Sequence, residues 1–240
     1  MTERPDQEPE HIVIDVWVWP LVADPIELCR LHALLNDDET SRASRFVSRH
    51  DRDEFVVAHG RMRQLLGCLM NRDPQNLQFG YNANGKPFIA GGFHFNLTHS
   101  GSRAALAICA THEVGIDIET PRQIDLTIAE RFFSPSEYAA ILAETDPQSA
   151  FFRCWSRKEA VLKALGSGLS LETRSFSVPV ARSQTRGELL PVSGLVGSQD
   201  INWALLDFDP GENFVGAIAL HSCGSRPDVV LHKADGDVHQ

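Results

Sequence analysis

Val114-Gly115-Ile116-Asp117-Ile118-Glu119 is the stretch from which the rest of the chain can be ordered. Apolar and other residues alternate strictly, the period of a strand with one buried face. Val114, Ile116 and Ile118 point into a core, and Asp117 and Glu119 share the opposite face. Residues two apart on a strand lie roughly 6–7 Å apart, so the carboxylates form a same-face pair. Oxygen ligands of this kind suit Mg²⁺, which takes few protein ligands and shares its sphere with water and phosphate. On spacing alone the plainer reading is two solvated acids on an edge strand.

Moving upstream, Phe93-His94-Phe95-Asn96-Leu97-Thr98 alternates as well, with three apolar side chains on one face and three polar on the other. It runs into Thr98-His99-Ser100-Gly101, where a histidine beside hydroxyls and a glycine can bind phosphate or carry protons. No Gly-x-Ser-x-Gly elbow surrounds Ser100, which argues against a hydrolase nucleophile. Residues 103–110 are apolar and extended. Asn84-Gly85 is a strong turn dipeptide after residues 77–81, and Gly85-Lys86-Pro87 carries a point charge suited to phosphate on that turn.

Further upstream, residues 38–71 read as one helical region with Phe46, Phe55, Val56, Leu65, Leu66 and Leu69 on a buried stripe. Asp24-Pro25-Ile26-Glu27 carries the cap, proline and acid of a helix start with a capping box. Residues 11–20 (HIVIDVWVWP) form a strand buried on both faces, and residues 1–10 a disordered lead-in. Residues 41–63 hold six arginines (Arg42, Arg45, Arg49, Arg52, Arg61, Arg63) against three acids, a positive island in an acidic chain that suits an anionic ligand.

Downstream, helices are expected at 124–132 and 134–144, where Ser134-Pro135-Ser136-Glu137 repeats the cap pattern, and at 149–165, stopped by Gly166-Ser167-Gly168. The last of these puts Trp155, Glu159 and Lys163 on one stripe, four residues apart. Glu159 could add a third oxygen to a metal and Lys163 could meet a phosphate. An i,i+4 ion pair is the simpler account of those two. Strands follow at 175–180, 202–208 and 214–221. The tail from 222 is polar, with 229–231 as a possible edge strand. The order β-α-α-β-β-β followed by α-α-α-β-β-β hints at two similar halves, divided into lobes at 11–110 and 111–221 with a tail at 222–240.

Composition removes other classes. With 22 Lys+Arg against 32 Asp+Glu the net charge is −10, which repels phosphate backbones and anionic membranes. No apolar run reaches the roughly 18–20 residues of a membrane span. The first ten residues lack the basic and apolar segments of a signal peptide. Five scattered cysteines without a Cys-x-x-Cys pair read as reduced, mostly buried thiols of a cytoplasmic protein. There is no P-loop, no Gly-x-Gly-x-x-Gly and no zinc spacing.

In order and spacing, these motifs resemble the 4′-phosphopantetheinyl transferases of the Sfp type, within the holo-[acyl-carrier-protein] synthase superfamily. The resemblance runs from Gly85-Lys86-Pro87 through Phe95-Asn96-Leu97-Thr98-His99-Ser100 and Val114–Glu119. It continues through Arg131-Phe132-Phe133-Ser134 and Glu137 to Trp155-Ser156-Arg157-Lys158-Glu159-Ala160, Lys163 and Gly166-Ser167-Gly168-Leu169. It implies an α+β fold of two similar lobes, a monomeric pseudo-dimer with its active site in the cleft between them. The activity it implies is transfer of phosphopantetheine from coenzyme A to a serine of an apo acyl or peptidyl carrier protein. That transfer depends on Mg²⁺ and releases adenosine 3′,5′-bisphosphate.

By position, Asp117, Glu119 and Glu159 match the family's metal-binding acids. Thr98 and His99 match its pyrophosphate contacts, Lys86 and Lys163 its phosphate-binding lysines, and Arg42 a 3′-phosphate contact. Asn84 and Gly85 are expected, with Lys86, among the residues that bind coenzyme A. Glu159, Lys163 and His99 are the catalytic candidates, with Glu159 as metal ligand, general base or both. Glu39 stands where some members have a second lysine. An acidic carrier must find a local apolar or basic patch on this acidic chain. Another Mg²⁺-dependent pyrophosphate-cleaving enzyme, or a degenerate member that binds without turnover, would use the same residues.

Overall fold

Eight β-branched, aromatic and flanking residues, Val13–Pro20, form strand β1. It lies inside a four-stranded sheet of order β4-β5-β1-β9, made with β4 (His94–Ser100), β5 (Arg103–Cys109) and β9 (Asp228–Lys233). The computed structural model describes residues 11–168, 171–185, 187–195, 203–222 and 225–233. The expected lead-in at 1–10, and Cys223 among the thiols, lie outside them. β1 pairs antiparallel with β5 and parallel with β9. The edge strand expected at 229–231 forms as residues 228–233 and closes the far edge of this sheet. A second sheet, β6-β8-β7, comes from β6 (Val114–Glu119), β7 (Trp203–Phe208) and β8 (Val215–His221). A short hairpin of β2 (Gly80–Tyr81) and β3 (Pro87–Phe88) stands apart.

The period of two builds the layers. Ile14 and Val16 of β1, Ala105 and Ala107 of β5, Ile116 and Ile118 of β6, and Ile218 and Leu220 of β8 form one core between the two sheets. The other face of the first sheet packs on α1 (Pro25–Ala33) and α3 (Arg49–Met70). The other face of the second packs on α6 (Pro147–Leu165), with α5 (Pro135–Ala143) beside it. The fold is α+β, as expected.

Several local expectations hold. Ser134 and Glu137 complete their capping box. Asp24 accepts from the Ile26 and Glu27 amides, with Pro25 at the first helical position. Glu27 does not close a box there: its carboxylate turns to Arg61 of α3 at 3.2 Å. The single helix expected at 38–71 is two, α2 (Asp37–Ser44) and α3, because Ser48 caps a new start at the Asp51 amide. The break leaves Phe46 exposed, and Leu69 near the end of α3 is exposed too, while Phe55, Val56, Leu65 and Leu66 are buried. Of the helix expected at 124–132, only α4 (Ala129–Phe132) and a preceding 3-10 turn form. Among the four described cysteines, Cys109 and Cys154 are buried, but Cys29 and Cys68 are exposed.

The strand expected at 175–180 is absent. Phe176, Val178 and Val180 are buried and alternate as a strand would. Their segment, however, makes only one isolated bridge, Ser177 to Ser193. Pro179 has no N–H to give a ladder, and side chains of α6 take the carbonyls. Lys158, wholly buried, donates to Thr173 and Phe176 at 2.7 and 2.5 Å and pairs with Glu137 at 3.0 Å. Arg157 donates to Pro179 and Ala181 and forks onto Asp207; Arg153 donates to Val180.

One glycine sets the spacing between α6 and β6. A Cβ built on Gly115 would lie 2.1 Å from the Ala160 carbonyl oxygen and 2.3 Å from the Ala164 nitrogen. Both are backbone atoms and cannot rotate away. Gly115→Ala is expected to destabilise the protein by about 1–3 kcal/mol, the usual cost of overpacking, seen as a lowered thermal midpoint. An unchanged midpoint would show that the helix can retreat freely.

Candidate functional site

β6 pairs with β8 on one side only, so its other edge carries unpaired backbone groups. The polar face of β4, also an edge strand, meets that edge. Asn96 Oδ1 accepts from the Ile116 amide at 2.9 Å, and Ser100 Oγ accepts from the Thr120 amide at 3.2 Å. Thr98 and Ser100 donate their hydroxyls to Asp117 Oδ1 and Glu119 Oε2 at 3.3 and 3.0 Å. Of the polar positions read from the alternation of residues 93–98, Asn96 and Thr98 continue with Ser100, while His94 bonds Glu113. Asn96, Thr98 and Ser100 serve as a side-chain ladder that stitches the two sheets and aims both acids. Ser100 bonds Glu119 and backbone rather than His99, in keeping with the absence of a nucleophile motif.

α6 covers the acid face. Ser156 donates to the Asp117 carbonyl at 3.0 Å. Lys163 donates to Asp117 Oδ1 at 2.6 Å, Thr98 Oγ1 at 3.1 Å and the Ile116 carbonyl at 3.3 Å. Its ion-pair partner is therefore Asp117 on β6, not Glu159 on its own helix. Asp117 is 5% exposed, and its Oδ2 is buried with no hydrogen-bond partner. Burial pushes the Asp117 carboxyl above the usual range, against the pull of Lys163. Glu119 is pushed up by burial and then by the charge of Asp117. Glu159 is pushed up by burial, with Lys163 opposing and Asp117 and Glu119 adding to the rise. The three acids thus sense one another.

They do not form a ready-made metal cage. Among the described residues, no three His, Cys, Asp or Glu side chains are grouped closely enough to hold one ion. The donor chemistry nevertheless suits a hard cation. All three groups offer carboxylate oxygen, one buried oxygen has no partner, and a dication would offset the burial that raises all three, together with the repulsion that adds to it at Glu119 and Glu159.

Cations stand around His99. The His99 imidazole is held below its ordinary pKa by partial burial, then by the positive charges of His59, Lys163 and Arg42. Lys163 of α6 bonds Thr98 of β4 directly, and the charges of Arg42 of α2 and His59 of α3 act on the histidine at the same strand end. Arg42 lies over the Phe55 ring, 5.2 Å from its centroid. The stacking of His59 on Phe55 was not read from the sequence, although its place four residues after Phe55 is a helical-face signal.

Asn84, Gly85 and Lys86 stand at the C-terminal end of α6, beside the Ala164 carbonyl that follows Lys163. Gly85 turns the β2–β3 hairpin at φ +85°. Asn82 and Asn84 donate their side-chain amides to the Gly166 carbonyl at 3.0 and 2.9 Å. Lys86 donates to the carbonyls of Val114 and Ala164 and ion-pairs with Glu113. The last carbonyls of a helix attract donors and cations, so this loop caps α6. Glu39, where a lysine was the alternative, is buried and completes the capping box of α2.

Comparison with known proteins gives two adjoining matches. Residues 113–218 match the 4′-phosphopantetheinyl transferase superfamily. Residues 23–111 match the family described as 4′-phosphopantetheinyl transferase, N-terminal. The 4′-phosphopantetheinyl transferase HetI of Nostoc sp. is 34% identical over 223 residues, covering 89% of this chain and 90% of that protein. The 4′-phosphopantetheinyl transferase Sfp of Bacillus subtilis is 34% identical over 155 residues, covering 62% of this chain and 68% of that protein.

Proposed function

Because this chain belongs to the 4′-phosphopantetheinyl transferase superfamily, we propose that it moves the phosphopantetheine arm of coenzyme A onto a serine of an apo acyl or peptidyl carrier protein and releases adenosine 3′,5′-bisphosphate. The observation that carries the finer reading is the meeting of Asp117, Glu119 and Glu159 with Lys163, His99 and Arg42 at the seam of β4, β6 and α6. Carboxylates beside cations suit a pyrophosphate with its dication. On this reading the two sheet-and-helix halves are the similar lobes of a pseudo-dimeric monomer, and the seam is their shared cleft.

Asp117, Glu119 and Glu159 would hold Mg²⁺, which when bound supplies positive charge to the pyrophosphate oxygens. The chain's own residues do the rest. Thr98 and His99 orient the pyrophosphate at the end of β4. Arg42 reads the 3′-phosphate. Lys163, already aimed at Asp117, offers its ammonium to the charge that gathers on the leaving phosphate. The serine hydroxyl must lose a proton as its oxygen bonds to phosphorus. Glu159 is the carboxylate that takes it, directly or through a water. Lys86, Asn84 and Gly85 hold the end of α6 and so the stripe that carries Glu159 and Lys163.

The test is release of adenosine 3′,5′-bisphosphate from coenzyme A in the presence of an apo-carrier. Release should stop with chelator, return with Mg²⁺, and require the carrier. Carrier-independent release would favour another pyrophosphate-cleaving enzyme. Binding of coenzyme A without release would favour a degenerate member.

A further inference from the structure

Helix α2 carries Arg42 but has almost nothing apolar with which to attach itself. Its sequence is DDETSRAS, and only Glu39 and Ala43 are buried. Burying one alanine contributes too little to fix eight residues against their conformational entropy, so polar contacts must hold the helix. Glu39 supplies them with both oxygens. Oε1 meets His59 Nδ1 of α3 at 3.3 Å. Oε2 accepts from the Asn36 amide at 3.0 Å and from Arg63 Nε of α3 at 2.6 Å. Arg63 is wholly buried and is itself anchored on the Pro74 and Leu77 carbonyls. Burial alone would raise the Glu39 carboxyl; the bonds from His59 and Asn36 and the charge of Arg63 hold it below its ordinary value.

A second contact lies one helical step along. On α2, Glu39 and Arg42 are three residues apart; on α3, Phe55 and His59 are four apart, so each pair shares a face. The Phe55 and His59 rings stack at 4.0 Å between centroids and 28° between planes. Arg42 lies over the same Phe55 ring. The chain of contacts runs Arg42–Phe55–His59–Glu39, closed at its base by Arg63.

We propose that His59 is a positioning residue. Clamped between Glu39 and Phe55, it fixes α2 on α3, and so sets the Arg42 guanidinium over the Phe55 ring and determines how well the protein distinguishes coenzyme A from its 3′-dephospho form. The proposal rests on the reading of Arg42 as the 3′-phosphate contact. It gives His59 a role through Arg42 rather than through the ligand, and it accounts for a glutamate at position 39.

The experiment compares KM and kcat for coenzyme A and 3′-dephospho-coenzyme A in the full-length protein, in Arg42→Ala and in His59→Leu, with one apo-carrier and with thermal unfolding alongside. Arg42→Ala should raise KM for coenzyme A about tenfold or more, as loss of a charged hydrogen bond does, and leave the dephospho form unchanged. His59→Leu keeps the bulk against Phe55 but loses the bond to Glu39. It should raise KM for coenzyme A by about threefold to tenfold, a part of that loss, with kcat and the dephospho KM unchanged. His59→Gln, which can still donate to Glu39, should recover part of the discrimination. A selective Arg42→Ala with a non-selective His59→Leu would overturn the positioning role while sparing the reading of Arg42. A non-selective Arg42→Ala would overturn both. If His59→Leu raises both KM values together in a protein of lowered thermal midpoint, the contact is merely structural and the proposal fails.

Discussion

Asp117→Asn is expected to lower transfer by about 10²-fold or more, the scale on which a preorganised charged group acts, while the protein stays folded with an unchanged or raised thermal midpoint. The argument begins with burial. Asp117 is a carboxylate inside the protein with one oxygen unpaired and one satisfied by Lys163 and Thr98. A charged group so placed costs desolvation energy that its single ion pair only partly offsets. Asparagine keeps the shape and an acceptor for Thr98 and removes the charge, and Lys163 is partly exposed and can turn to water. A residue that stabilised the fold would be missed in the unfolding curve. One retained at a cost for chemistry is missed only in turnover. Measured kcat with an apo-carrier at limiting and saturating Mg²⁺, beside thermal unfolding, separates the two. Full activity at limiting Mg²⁺ would refute the assignment of Asp117 to the metal.

Lys163→Ala is expected to reduce kcat by about 10²-fold as well, with a smaller change in KM for coenzyme A. A helix-supporting pair between Glu159 and Lys163 would have predicted a loss of about 0.3–0.5 kcal/mol of stability and near-normal turnover. The geometry excludes that pair as the lysine's role: its ammonium crosses to Asp117, Thr98 and the Ile116 carbonyl. Those contacts hold a cation beside Asp117, where on the proposed reading developing phosphate charge would be met. Lys163→Arg should rescue poorly, because a planar fork does not replace a compact ammonium among three close acceptors. Turnover within about threefold of the parent, less than any transition-state contact would leave, would reject the role.

Much of this site could be read from residue order, and the reason is periodicity. β6 and α6 are regular elements, so Asp117 with Glu119 and Glu159 with Lys163 follow from periods of 2 and 3.6. The caps at Asp24, Ser134 and Gly166 were equally legible, since a cap depends on residues within a few positions of one another. What escaped depends on distant partners. No local signal shows that the polar face of β4 would stitch to the edge of β6, or that Lys86 and Asn84 would close the C-terminus of α6 some eighty residues on. Residues 175–180 alternate like a strand, yet Arg153, Arg157 and Lys158 take the carbonyls that a neighbouring strand would have used. Arg157 and Lys158 sit inside the motif that marks Glu159, and sequence gave no means of telling the structural pair from the chemical residue beside it. Glu39 and His59 were invisible for the same reason: their bond joins two helices twenty residues apart.

The central claim is that the cleft hands phosphopantetheine to another protein's serine. The most direct measurement is the intact mass of an apo-carrier after incubation with this protein, coenzyme A and Mg²⁺, alongside the same carrier with its acceptor serine changed to alanine and with the Asp117→Asn protein. The account predicts a gain of one phosphopantetheine on the apo-carrier alone. No gain on any acyl or peptidyl carrier across a panel, or an equal gain on the serine-less carrier, would contradict it.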